Sequence, residues 1–289
     1  MLRKFIPVIL LLLLAYVIYF YYFTSPAIQQ VKVNMLWHGS PITCQSTFDP
    51  KDKGDAWFIE QLQFFVSDIE VELEENDWQS LALISNAYQS DESVLLGVNC
   101  AEEGKQGNPQ GGGNWHIEFD NRFDIAKVRS LRFTLGVPFA SNHLNPVSQP
   151  SPLNLPSMFW VWQTGHKFIR AELASVNEQW LFHLGSTGCK APSVMRAPQQ
   201  PCIYPNTFTF ELPVIKDDSK ALVMNFNLAN LLKNIELTQQ SSCQSEHENE
   251  NCQQLFNNLS VVQQPSAPND IAVFSMATTD KVTQGSQVE

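Results

Sequence analysis

The chain has 289 residues, with 18 Lys and Arg against 29 Asp and Glu for a formal charge of -11, and 44% apolar against 16% charged residues. An acidic chain without a clustered Lys/Arg stripe lacks the basic footprint that phosphate backbones require, which argues against a nucleic-acid partner. The composition excludes a coiled coil and a wholly disordered protein, and the length is ample for a single large core.

Arg3 and Lys4 precede an unbroken apolar run from Phe5 to Phe23, close to the ~20 residues that cross a bilayer as a helix. Positive charge ahead of such a run stays cytoplasmic, so the chain after Thr24 is expected to be exported. Residues 1–27 read either as an uncleaved membrane anchor, which the length and bulky aromatic end favour, or as a signal peptide cut near Ala27. Ser25-Pro26-Ala27 offers the small residues a signal peptidase needs. A β domain over 28–275 and a disordered tail over 276–289 complete the expected organisation.

Export brings thiols into contact with oxidants, and Cys44, Cys100, Cys189, Cys202, Cys243 and Cys252 form an even set. The absence of a C-x-x-C pair disfavours a zinc knuckle or a thioredoxin-type site. Sequence alone does not choose among the many connectivities. Short polar or Pro-rich loops suggest Cys189 with Cys202 and Cys243 with Cys252, which leaves Cys44 with Cys100.

From Val31 onward, short apolar runs alternate with polar residues. Val31, Val33 and Met35 alternate with Lys32 and Asn34, while Leu131, Phe133 and Leu135 and then Phe208, Phe210 and Leu212 repeat the pattern. Such two-residue periods are those of half-buried strands. Further strand candidates are Gln63–Leu73, Ser80–Ile84, Trp115–Phe119, Lys167–Leu173, Trp180–Leu184 and Leu222–Leu228. Many short strands joined by turn-rich links predict an all-β, antiparallel sandwich with long loops and disulfides. Helix is expected only over Asn227–Asn234 and at the start of Asp55–Gln63. Two long loops stand out, the Gly-rich Ala101–Asn114 and the Pro-rich Pro138–Pro156, and loops of that length are commonly functional or disordered. From Gln239 the chain is rich in Gln, Ser, Asn and Glu and reads as a disulfide-tied extension.

No G-x-S-x-G, H-E-x-x-H, Walker or G-x-G-x-x-G motif occurs. Gly185-Ser186-Thr187-Gly188 resembles a nucleophile turn but is better read as a tight turn that positions Cys189. With the thiols paired, imidazole is the best remaining ligand for copper or zinc. The six histidines, His38, His116, His143, His166, His183 and His247, include no H-x-H pair, so any site must gather them from separate elements. Trp160-Val161-Trp162, if extended, sets both indoles on one face, either as core or as an oxidisable pair.

The order Leu131–Ala140, Asn142-His143, Pro150–Leu155, Met158–Gln163 and His183–Cys189 resembles the MbnP-like family of exported copper-binding proteins. The Phe64–Ile69 strand and the late Cys243 and Cys252 continue the likeness. The resemblance implies a mostly β copper protein without turnover of its own, acting in storage, delivery or sensing in the bacterial periplasm, attached to the inner membrane if the N-terminal segment stays uncleaved. It also implies a partner of the di-haem cytochrome c peroxidase type, MbnH, that oxidises a tryptophan to kynurenine. Trp160 or Trp162 is the matching tryptophan, His143 and His183 are the matching copper ligands, and His38 is a third candidate. Two departures bear on the site. Asn145 stands where the family commonly carries an Asp, removing a carboxylate that could orient an imidazole. His166 replaces a family Tyr, either as an extra ligand or as a substitute hydrogen-bonding group. The competing reading is a metal-free β-sandwich module that binds a protein or glycan.

Overall fold

The computed structural model of the chain describes residues 28–51, 55–100, 112–121, 123–214, 221–263 and 271–277. The expected anchor or signal peptide, most of the Gly-rich loop and the end of the expected tail lie outside the described residues. Among the described residues thirteen strands are formed: β1 (Gln29–Trp37), β2 (Ser40–Pro41), β3 (Phe58–Glu74), β4 (Asp77–Ser80), β5 (Ser93–Asn99), β6 (Gly112–Asn114), β7 (His116–Phe119), β8 (Ser130–Leu135), β9 (Ile169–Ala174), β10 (Gln179–Leu184), β11 (Phe208–Pro213), β12 (Leu222–Asn227) and β13 (Phe274–Met276). The α-helices among the described residues are α1 (Phe139–Asn142), α2 (Leu228–Leu231) and α3 (Glu250–Leu259).

The strands form two sheets, as the alternating runs predict. In the smaller, β1 lies between β12 on one side and β7 and β2 on the other, with β13 outside β12. The β1–β12 ladder is parallel, while every other ladder between named strands is antiparallel. The larger sheet is organised by β3, whose 17 residues pair along one edge with β9 and then β8, and along the other with β5 and then β4. Asp68, at φ 49°, marks the bulge at which β3 changes register against β8, the irregularity that lets one long strand serve four partners.

Aromatic rings join the sheets. Phe64 of β3 stacks on Phe226 of β12 at 5.0 Å between centroids. Phe274 of β13 meets Phe64, Phe133, Phe210 and Phe226 within 5.6 Å. On the opposite face of β3, Phe65 packs edge-on against His166 at 5.7 Å, so the segment around 138–168 forms a third layer over the large sheet.

Several expectations are corrected. Asp55–Gln63 contains no helical start: Trp57 pairs with Phe48 and the chain is extended from Phe58, because buried Trp57, Ile59 and Leu62 serve the sheets. Ser80–Ile84 is not a strand, since β4 ends at Ser80 and the following residues make isolated contacts, among them those with Ile69, Glu118, Phe119 and Asp120, rather than a ladder. The segment from Gln239 is part of the fold. Cys243 exchanges backbone hydrogen bonds with Leu181 and His183, covering the edge of β10, and α3 buries Cys252, Leu255 and Leu259 along one face. Cys44–Cys100, Cys189–Cys202 and Cys243–Cys252 are the three disulfides, the pairing that the short loops suggest.

Candidate metal centre

The site grows from the β9–β10 hairpin. Arg170 stands opposite His183 in the ladder, and Glu172 opposite Leu181. Side chains two apart on a strand share a face, so Arg170, Glu172 and His183 meet diagonally across it. The Arg170 guanidinium donates from Nε and Nη2 to the two oxygens of Glu172 at 2.7 and 2.9 Å. His183 Nε2 donates to Glu172 Oε1 at 2.8 Å. Burial pushes the Glu172 carboxyl upward, but the hydrogen bonds from His183 and Arg170 outweigh it and hold the group at about 2.

This arrangement decides the state of His183. Its ring is buried, and burial pushes its pKa down despite the carboxylate, so at neutral pH it carries one proton. That proton sits on Nε2, facing an acceptor that is ionised at neutral pH. Nδ1 therefore keeps its lone pair, and it is a buried nitrogen with no hydrogen-bond partner. A histidine whose far N–H is held by a carboxylate, with the other nitrogen bare, has the arrangement of a metal ligand and its supporting group.

Trp160 lies beside it, 6.4 Å between ring centroids. The indole packs over Gly185, where an added Cβ would come within 2.6 Å of Trp160 Cζ3 and 2.7 Å of the His166 carbonyl. The extended conformation that would set Trp160 and Trp162 on one face does not form. Between the bridge partners Phe159 and His166 the chain turns, with Gly165 N donating to Val161 O at 2.7 Å and Trp160 N to Gly165 O at 3.0 Å. A turn breaks the two-residue alternation, so the indoles have no strand face in common. Both are half-buried.

His143 follows α1 and is 3% exposed. Its Nδ1 donates to the Trp162 carbonyl at 3.0 Å, while the Asn142 amide donates to Nε2 at 3.3 Å. Burial pushes its pKa down, against the Trp162 bond. The Trp162 carbonyl thus orients this imidazole, the task a carboxylate at position 145 could have had. Asn145 instead accepts from Val147 N and starts a short helical turn.

His166 is fully buried between two carbonyl oxygens, Asn142 O at 3.0 Å from Nδ1 and Leu153 O at 2.9 Å from Nε2. Neither nitrogen is open to a metal, so His166 ties the loop layer together. His38 is exposed at the β1–β2 turn and meets Trp37 edge-on at 4.9 Å. Among the described residues, the groups of three or more whose ligand atoms lie within 4.8 Å of one another are His143, Cys189 and Cys202, and Cys243, Glu246 and Cys252. His38, His143 and His183 do not form such a group. Glu172 and Arg170, absent from the expected site, were signalled by two charges on one face of a strand predicted next to that of His183.

The family model MbnP matches residues 28–245. Among solved structures the chain is similar to MbnP from Methylosinus trichosporium, with a TM-score of 0.69 and 20% identity over 86% of this chain and 98% of that one. No functionally curated protein sequence matches it.

Proposed function

The chain belongs to the MbnP family, and from that membership we propose that it is an exported, periplasmic copper-binding protein that stores, delivers or senses copper and has no turnover of its own. The observation that carries the reading is the bare, buried Nδ1 of His183, backed by Glu172 and Arg170. It fits a borderline-to-soft metal, which imidazole nitrogen binds well. His143, the second histidine of the reading, has its Nδ1–H fixed on a backbone carbonyl and its lone pair on Nε2. His38, exposed and apart from these contacts, is the weakest of the three proposed ligands.

Trp160 is favoured over Trp162 as the tryptophan converted to kynurenine by a di-haem partner of the MbnH type. Its ring lies next to His183, so a kynurenine carbonyl or amine there would add a donor beside that imidazole. Trp162 contributes its backbone carbonyl to His143 whatever happens to its ring.

Coexpression with the di-haem partner, followed by intact mass and peptide mapping, tests both parts. The expected result is a kynurenine mass shift on the peptide holding Trp160, together with copper binding that His183→Ala weakens at least ~10-fold. An unmodified chain that binds no copper overturns the reading. Copper affinity indifferent to both His143→Ala and His183→Ala would favour the metal-free binding module instead.

A further inference from the structure

We propose that His143, Cys189 and Cys202 form a separate, redox-gated metal site, closed while the two sulfurs are joined and opened to a thiophilic d10 cation, Cu(I) or Zn(II), when a dithiol reduces them. The inference stands apart from copper at His183 and shares only His143 with that reading.

Three observations on the structure converge. The three ligand atoms lie within 4.8 Å of one another, and all three residues are buried. His143 Nε2 stands 3.8 Å from Cys202 Sγ, and two donors bound at about 2.3 and 2.0 Å to a common ion lie roughly 3.5–4 Å apart. Finally, the Nδ1–H of His143 is fixed on Trp162 O, leaving the lone pair on the nitrogen that faces the sulfurs. A disulfide sulfur offers no thiolate, so the group cannot hold an ion in its oxidised state.

The sulfurs remain in place without the covalent bond. Thr187 and Tyr204 exchange both backbone hydrogen bonds, at 2.9 and 3.1 Å, on the two chains that carry Cys189 and Cys202. Ser186 Oγ donates to Pro205 O at 3.1 Å, and Gln163 Nε2 to Cys189 O at 3.0 Å. After reduction, moving the sulfurs to ligand separation needs only rotation of the two side chains. The flanking Lys190, Pro201 and Ile203 are exposed, which gives a reductant access.

The chemistry balances. A dithiol passes two electrons and two protons to the disulfide, yielding two cysteine thiols and its own disulfide. Metal uptake then releases the two thiol protons as the sulfurs become thiolates. The ion displaces the Asn142 amide from His143 Nε2, and that amide retains Ser186 Oγ at 3.4 Å.

The test is differential alkylation of the whole chain. It is reduced with dithiothreitol, freed of the reagent by anaerobic gel filtration, given Cu(I) or Zn(II), and treated with a maleimide, after which each cysteine is mapped by mass. Cys189 and Cys202 are expected to be protected at least ~10-fold by one or both ions relative to the reduced, metal-free chain, and the unreduced chain is expected to bind neither ion at this site. The two arms identify the cation. His143→Ala should lose most of this protection and His183→Ala none, which separates this site from the one under Proposed function. Equal alkylation with and without either ion, protection that survives His143→Ala, or loss of the β-sheet circular dichroism on reduction alone overturns the proposal.

Discussion

Glu172 controls the chemistry of His183 through a single hydrogen bond, and its own ionisation contributes to the acid stability of the chain. In the folded chain its carboxyl sits at about 2 against an ordinary 4.5, so the unfolded chain takes up that proton first as pH falls. The stabilisation is complete above about 4.5 and is lost on the way down to about 2. At 22% side-chain exposure, it is worth at most roughly 3 kcal/mol. Burial also pushes His143, His166 and His183 below 6.5. The unfolded chain therefore binds their protons first, and stability should begin to fall already below about 6.5. Denaturant titrations of the metal-free chain at stepped pH should show a decline beginning near 6.5 and steepening below 4.5. Glu172→Gln should remove the steeper limb while destabilising the chain by roughly 1–3 kcal/mol at pH 7, because Arg170 loses its charged acceptor. An unchanged acid limb in that variant would show that Glu172 is not its source.

At the level of elements, a two-residue alternation marked strands most clearly, and longer apolar runs also located β3, β10 and β12 although they are buried on both faces over much of their length. β1, β8 and β11 alternate, and Val31, Val33, Met35, Leu131, Phe133, Leu135, Phe210 and Leu212 are buried as the period requires. β5 was missed because Val94, Leu95, Leu96 and Val98 are buried on both faces, which erases the period that marks a strand. Its glycine explains how closely it is packed. Gly97 has φ 106°, and a Cβ there would stand 2.0 Å from Leu62 O across the β3–β5 ladder. Gly97→Ala should therefore part that ladder, costing at least ~3 kcal/mol from strain and lost hydrogen bonds together. A thermal melt within a degree or two of wild type would refute the need for that close approach. The candidate site was partly legible for the same reason. His183 and His143 were named from sequence, but their supporting groups, Glu172 and the Trp162 carbonyl, depend on strand register and on a turn. Nothing in the Trp160–Trp162 triplet itself distinguishes that turn from a strand.

For the whole molecule, the segment from Gln239 is tied by its disulfide as expected, but its polar composition conceals how closely the described part packs through a few apolar residues. Asn258 donates to Leu231 O and Lys233 O at 2.8 Å, so α3 satisfies carbonyls at the end of α2. β13, only three residues long, closes the small sheet beside β12. Phe274 is fully buried and touches rings from β3, β8, β11 and β12, joining both sheets from a position late in the chain. The two sheets therefore cannot complete their shared core until this late segment has docked. Phe274→Ala should cost ~3–5 kcal/mol, the cost of removing a fully buried aromatic ring and leaving a cavity. Phe274→Leu, which keeps most of the volume, should cost less than half as much. Urea unfolding of both variants measures the difference. If Phe274→Ala unfolded within ~0.5 kcal/mol of wild type, β13 would be a peripheral addition and the sheets would hold together without it.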